Sequence, residues 1–96
     1  MQNKLVDTAI QHSVDVIDHS LMCSDEATFI LKLEAYVLDL LQHDFNALVN
    51  LLYRIDVPEK SSKACFGQEN HLIAKCLAEL IWQRQLQKAQ TRLSFK

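Results

Sequence analysis

Residues Asp44–Lys60 read DFNALVNLLYRIDVPEK. Within this stretch Phe45, Leu48, Leu51, Leu52 and Ile55 recur at intervals of three or four, the spacing of one buried helix face. Asp44 stands where a side-chain oxygen can accept from the unpaired N–H groups of a helix start. Tyr53 and Arg54 fall in the last turn, where a cation opposes the negative end of the peptide dipoles. Directly afterwards, Asp56, Pro58 and Glu59 follow the order of a new start: a cap, a proline in the first turn and an acid at capping-box spacing. A helix that stops and at once restarts predicts a helical chain.

The flanking sequence extends the pattern. Val6, Ile10, Val14, Ile17 and Leu21 predict a helix over about residues 3–21, with Asp7, Gln11, Asp15 and Asp18 on its wet side. In SDEATFILKLEAYVLDLLQH, Ser24 is the expected N-cap and Asp25 and Glu26 occupy the positive first turn. Ile30, Leu33, Val37, Leu40 and Leu41 form its stripe, widened by Phe29, Tyr36 and Leu38, which marks it as the central helix. The short fourth helix is expected to end near Gly67, the residue able to take a left-handed position without steric cost. A fifth runs from about Glu69 to Arg92. The expected fold is therefore all-α, a compact bundle of about five helices with a long C-terminal helix, in a single domain over residues 1–96.

Composition narrows the function classes. The chain has 96 residues, 49% hydrophobic and 23% charged, with one glycine and one proline. That is too apolar for a disordered segment and too poor in turn formers for an all-β domain. The N-terminus lacks the layout of a signal peptide, and no apolar run approaches the roughly 18 residues that cross a bilayer. Cys23, Cys65 and Cys76 are odd in number and lack metal or redox pairing, which predicts three reduced thiols and a cytoplasmic protein.

Three constellations carry potential chemistry. Asp15, His19 and Cys23, four apart on one predicted helix face, offer carboxylate, imidazole and thiolate to zinc, but no second pair of ligands stands at matching spacing. Cys65 or Cys76 with His71 has the residue types for nucleophilic catalysis. Cys76, however, falls on the apolar stripe of Ile73, Leu77 and Leu80, and nothing Gly-rich stands near Cys65. No catalytic, metal or cofactor residue is assigned, and no cofactor is expected.

Charge is distributed unevenly. Residues 1–44 hold two lysines against eight carboxylates, and residues 45–96 hold eight bases against four acids. Arg84, Lys88, Arg92 and Lys96 follow one another at intervals of four, a basic ridge from which binding to phosphates could start. The last helix also changes its apolar side midway. Ile73, Cys76, Leu77 and Leu80 share one face, whereas Trp82, Leu86, Ala89 and Leu93 fall nearly opposite. Either the N-terminal helix or a second chain must cover that distal stripe, and a homodimer through it is the expectation adopted.

LLYRIDVPEK and the later LAELIWQRQLQKAQTR resemble the C-terminal part of a set of short bacterial helical proteins with no assigned activity, over about residues 36–92. The resemblance implies the fold and a bacterial cytoplasmic setting, and lends no catalytic residue. Leu52-Tyr53-Arg54 also spells the tripeptide that names the LYR family of mitochondrial assembly proteins. Those proteins carry it near the start of the first helix of a basic three-helix domain, whereas here it ends a mid-chain helix in a slightly acidic chain. Function is accordingly read as a non-enzymatic protein–protein interaction module that homodimerises and also contacts another protein, with no membrane role. A nucleic-acid-associated protein using the ridge is the alternative, followed by a small metal-binding or enzymatic protein.

Overall fold

A computed structural model describes residues 4–94, and the described chain is all-α. Five helices follow in order: α1 (Lys4–Val16), α2 (Glu26–His43), α3 (Phe45–Ile55), α4 (Glu59–Ala64) and α5 (Asn70–Ser94), with a 3₁₀ turn at His19–Leu21 between the first two.

α1 stops at Val16 rather than continuing to Leu21. Asp18 adopts an extended conformation and its carboxylate accepts from the Ser20 N–H and hydroxyl. A short polar side chain that bonds nearby backbone groups competes with helix continuation, and here it opens the turn instead. Leu21 is still buried, carried inward by that turn. α2 begins one residue later than expected, because Asp25 rather than Ser24 accepts from Thr28 N at 2.9 Å. Phe29, Leu33 and Val37, one every four residues, are completely buried, while Ile30, Leu40 and Leu41 are half-buried beside them.

Asp44 serves two helices. Its N–H donates to Leu40 O, closing α2, and its carboxylate accepts from Ala47 N at 3.1 Å, capping α3. α3 buries Leu48, Leu51, Leu52 and Ile55. Its end explains Leu52-Tyr53-Arg54 in backbone terms. Asp56 takes the left-handed conformation (φ 69°), its N–H donates to Tyr53 O, and Val57 N–H donates to Leu52 O. This pair of bonds is the Schellman arrangement, and the buried Leu52 and Val57 supply the apolar contact that accompanies it. The tripeptide is thus part of a helix stop. We expect Leu52→Ala to cost about 2 kcal/mol or more and Arg54→Ala under about 1 kcal/mol, since only the first removes buried volume. Denaturant midpoints of the two variants check this, and equal losses would contradict it.

Asp56 does not cap α4 as the sequence suggested. It is occupied in ending α3, and Pro58 stands at the N-cap with no side-chain hydrogen bond. α4 closes at Ala64, and Gly67 is left-handed (φ 92°) in the loop that turns the chain into α5.

α5, not α2, is the central helix: α1, α2, α3 and α4 all pack against it. The Trp82 ring lies 5.0 Å from that of Phe29, and its indole N–H donates to Glu26 Oε2 at 2.8 Å. One turn on, fully buried Gln85 donates to Ser13 Oγ at 3.0 Å, and Ser13 donates to Ala9 O. Among the described residues Gln85 Oε1 has no hydrogen-bond partner. This polar contact sets the register of α1 along α5, because sliding α1 would leave the amide N–H groups buried without an acceptor.

The arrangement corrects the reading of the distal stripe as an interface. Trp82 and Ala89 are 3% exposed and lie inside the chain's own core, and Leu86 and Leu93 are half-buried. The apolar side of α5 switches midway because two helices, α1 and α2, flank it and between them cover both sides.

A candidate docking groove between α3 and α4

The three apolar side chains left outside on α3 are Phe45, Val49 and Tyr53, spaced by four along one face and exposed by 50%, 45% and 88%. Phe45 therefore departs from the expected buried stripe. At about 100° per residue it falls on the side of Val49 and Tyr53, at the margin of the face formed by Leu48, Leu51, Leu52 and Ile55. Phe66, in the loop after α4, meets it edge to face at 6.0 Å. Leu48, Leu52 and Val57 form the floor and α4 the far wall, enclosing a groove of about 310 Å³.

Its charges are internally paired. Lys63 Nζ lies 2.9 Å from Glu59 Oε2, one helical turn apart on α4. The hydrogen bond and charge of Lys63 hold the Glu59 carboxyl below its ordinary pKa. What remains between the helices is an apolar, aromatic-rimmed surface with no net charge from its lining. Sequence reasoning missed it by assigning Phe45 to the core. The available signal was the 45–49–53 spacing on a helix whose only charged residue is Arg54.

The wall formed by α4 is tied to the central helix by a disulfide between Cys65 and Cys76, whose Cα atoms lie 5.7 Å apart. This corrects the expectation of three reduced thiols, since only Cys23 is free. The turn at Gly67 brings the end of α4 back alongside the second turn of α5, a proximity that spacing along the chain does not reveal. Joined to each other, neither cysteine is a nucleophile for His71. That imidazole is exposed and lies 3.9 Å from a Glu69 carboxylate oxygen.

The other candidate residues are dispersed or engaged. Asp15 lies in the last turn of α1, His19 in the 3₁₀ turn and Cys23 in the link beyond it, so the three do not share a helix face. Among the described residues no three His, Cys, Asp or Glu side chains come together as a metal site. In the basic ridge, Arg84 is 3.3 Å from Asp56 Oδ2. Half-buried Lys88 has its pKa lowered by desolvation and then by Arg84. Arg92 Nη2 lies 3.4 Å from His12 Nδ1. Burial, then Arg92 and Lys88, push the His12 imidazole below its ordinary pKa. Lys96 lies outside the described residues. The ridge is thus partly folded against α1 and Asp56 and is not a row of free cations. No described helix is long and apolar enough to cross a membrane. Comparison with protein-family models, curated proteins and solved structures finds no match.

Proposed function

We propose that this chain is a non-enzymatic protein–protein interaction module that acts through the groove between α3 and α4. The observation that carries the reading is the concentration of apolar surface. Of the seven large hydrophobic side chains exposed among the described residues, four, namely Phe45, Val49, Tyr53 and Phe66, gather at this one groove. Scattered exposed hydrophobics need no explanation, but a contiguous patch rimmed by aromatics has the composition of an interface core. The alternative of nucleic-acid binding through the ridge has less support, because Arg84 is engaged by Asp56. Placement in a reducing cytoplasm rested on unpaired thiols, and the Cys65–Cys76 bond withdraws that support.

If these side chains serve binding and not the fold, polar replacements should be thermodynamically neutral. Val49→Gln and Tyr53→Ser are expected to leave the unfolding free energy within about 0.5 kcal/mol of wild type. Both should abolish the fluorescence enhancement of the apolar dye anilinonaphthalene sulfonate, measured at roughly 1 μM protein, where a weak self-complex is dissociated. A wild type that leaves the dye dark, or variants destabilised by more than about 1 kcal/mol, would assign the patch to folding and overturn the reading.

A further inference from the structure

We propose that the groove's occupant is a second copy of this chain, docked through α3 in an antiparallel register centred on Val49. The proposal rests on the groove being a docking surface and adds its partner.

The exposed face of α3 is self-complementary. When a helix meets its own copy across a two-fold axis, a residue a given number of positions after the centre lies level with the one that many positions before it. Centred on Val49, the register sets Val49 level with Val49 and Tyr53 level with the second copy's Phe45, twice. The aromatic–aliphatic–aromatic stripe maps onto itself over about 12 Å of helix. Each Tyr53 then enters the aromatic end of the opposing groove, where Phe45 already meets Phe66 edge to face.

Charge selects the same partner and direction. Apart from Arg54 the exposed face of α3 is uncharged, carrying Asn46 and Asn50 beside the apolar stripe, so two copies approach without like charges in the seam. In the antiparallel register Arg54 stands level with the second copy's Asp44. Both are exposed, and among the described residues neither forms an ion pair with another side chain. A parallel register would instead set Arg54 beside Arg54. The peptide dipoles of the two helices also oppose each other in the antiparallel pair. A contact built on two turns of helix and one loop falls below about 1,200 Å² in total, the range of weak complexes, so dissociation in the micromolar range is expected.

The full chain should sediment as a monomer–dimer equilibrium between roughly 10 μM and 1 mM, and Val49→Asp should weaken the dimer by more than about tenfold while its helical circular dichroism is retained. Arg54→Glu should weaken it by about tenfold, because it turns two attractive rim pairs into repulsive ones. Position is read by cross-linking in a Cys23→Ser background. Val49→Cys should give a covalent dimer on mild oxidation, and Gln90→Cys, on the distal half of α5, should not. A wild type monomeric at about 1 mM overturns the proposal. So does faster cross-linking through Gln90→Cys, which would return the interface to α5. If the chain is monomeric yet the dye still binds wild type and not the Val49 and Tyr53 variants, only the second copy is excluded and the docking surface stands. If the dye binding is absent as well, both fall.

Discussion

Phe29→Ala is expected to lower the free energy of unfolding by about 3 to 5 kcal/mol, a large share of the roughly 5 to 15 kcal/mol that holds a domain of this size. The ring is completely buried at the junction of α2 with the central helix, in tilted contact with Trp82. Its removal therefore costs the transfer free energy of the ring, leaves a cavity, and withdraws the aromatic surface that positions the indole. Trp82 in turn holds the hydrogen bond to Glu26 across the same junction, so the loss should extend beyond one side chain. Phe45→Ala is the internal control. That ring is half-exposed and makes a single edge contact with Phe66, and its truncation should cost under about 1.5 kcal/mol. Urea midpoints on wild type and both variants check the contrast. Equal losses would mean that Phe45 belongs to the core after all.

Breaking the link between Cys65 and Cys76 is expected to cost about 3 kcal/mol. The bond closes a chain segment whose ends lie 11 residues apart, and a loop of that size removes about that much conformational freedom from the unfolded chain. The effect should also be local. α4 has six residues, far below the length at which a helix holds itself in water, and it keeps its place through Val57, Cys65 and the tether to α5. Treatment with a dithiol reductant, or the double change Cys65→Ala with Cys76→Ala, should lower the midpoint. Amide exchange should quicken over Glu59–Ala64 while the buried turns around Leu77 and Ile81 stay protected. Titration of the denatured, unreduced chain should find one free thiol. Three free thiols would show that the bond does not form in the protein.

These two expectations lie on opposite sides of what could be read from residue order. Four of the five positions expected on the buried face of α3 (Leu48, Leu51, Leu52 and Ile55, without Phe45), the cap at Asp44, and Leu33 and Val37 of the α2 stripe, with Phe29 in place of Ile30, Leu40 and Leu41 at its buried centre, are local features. Each follows from a repeat of three or four residues and from which side chain can bond a free backbone N–H, and each is realised in the fold. Where two local signals competed, order along the chain was not enough. Asp56 is chemically suited both to open α4 and to close α3. It closes α3, because Val57 is drawn into the core beside Leu52 and the backbone must turn left-handed to put it there. Asp18 likewise ends α1 early, by bonding Ser20 in preference to continuing the helix.

The sequence by itself therefore determined the helical class, the long last helix, and most of the buried face of α1 and α3, since periodicity is a property of neighbours within a turn or two. Only the tertiary structure decided which helix is central, which apolar stripe is covered and which cysteines meet. Those outcomes depend on how separate helices dock: α1 lies along the distal half of α5, with Ser13 against Gln85 and with Thr8 and His12 beside Ala89, while Phe29 and Glu26 of α2 cover Trp82. The chain reversal at Gly67 sets Cys65 beside Cys76. With α5 covered on both sides, the exposed apolar surface concentrates on α3. Its outward face at Phe45, Val49 and Tyr53 has the same spacing as a buried one, and only the placement of the neighbouring helices distinguishes a core stripe from a docking surface.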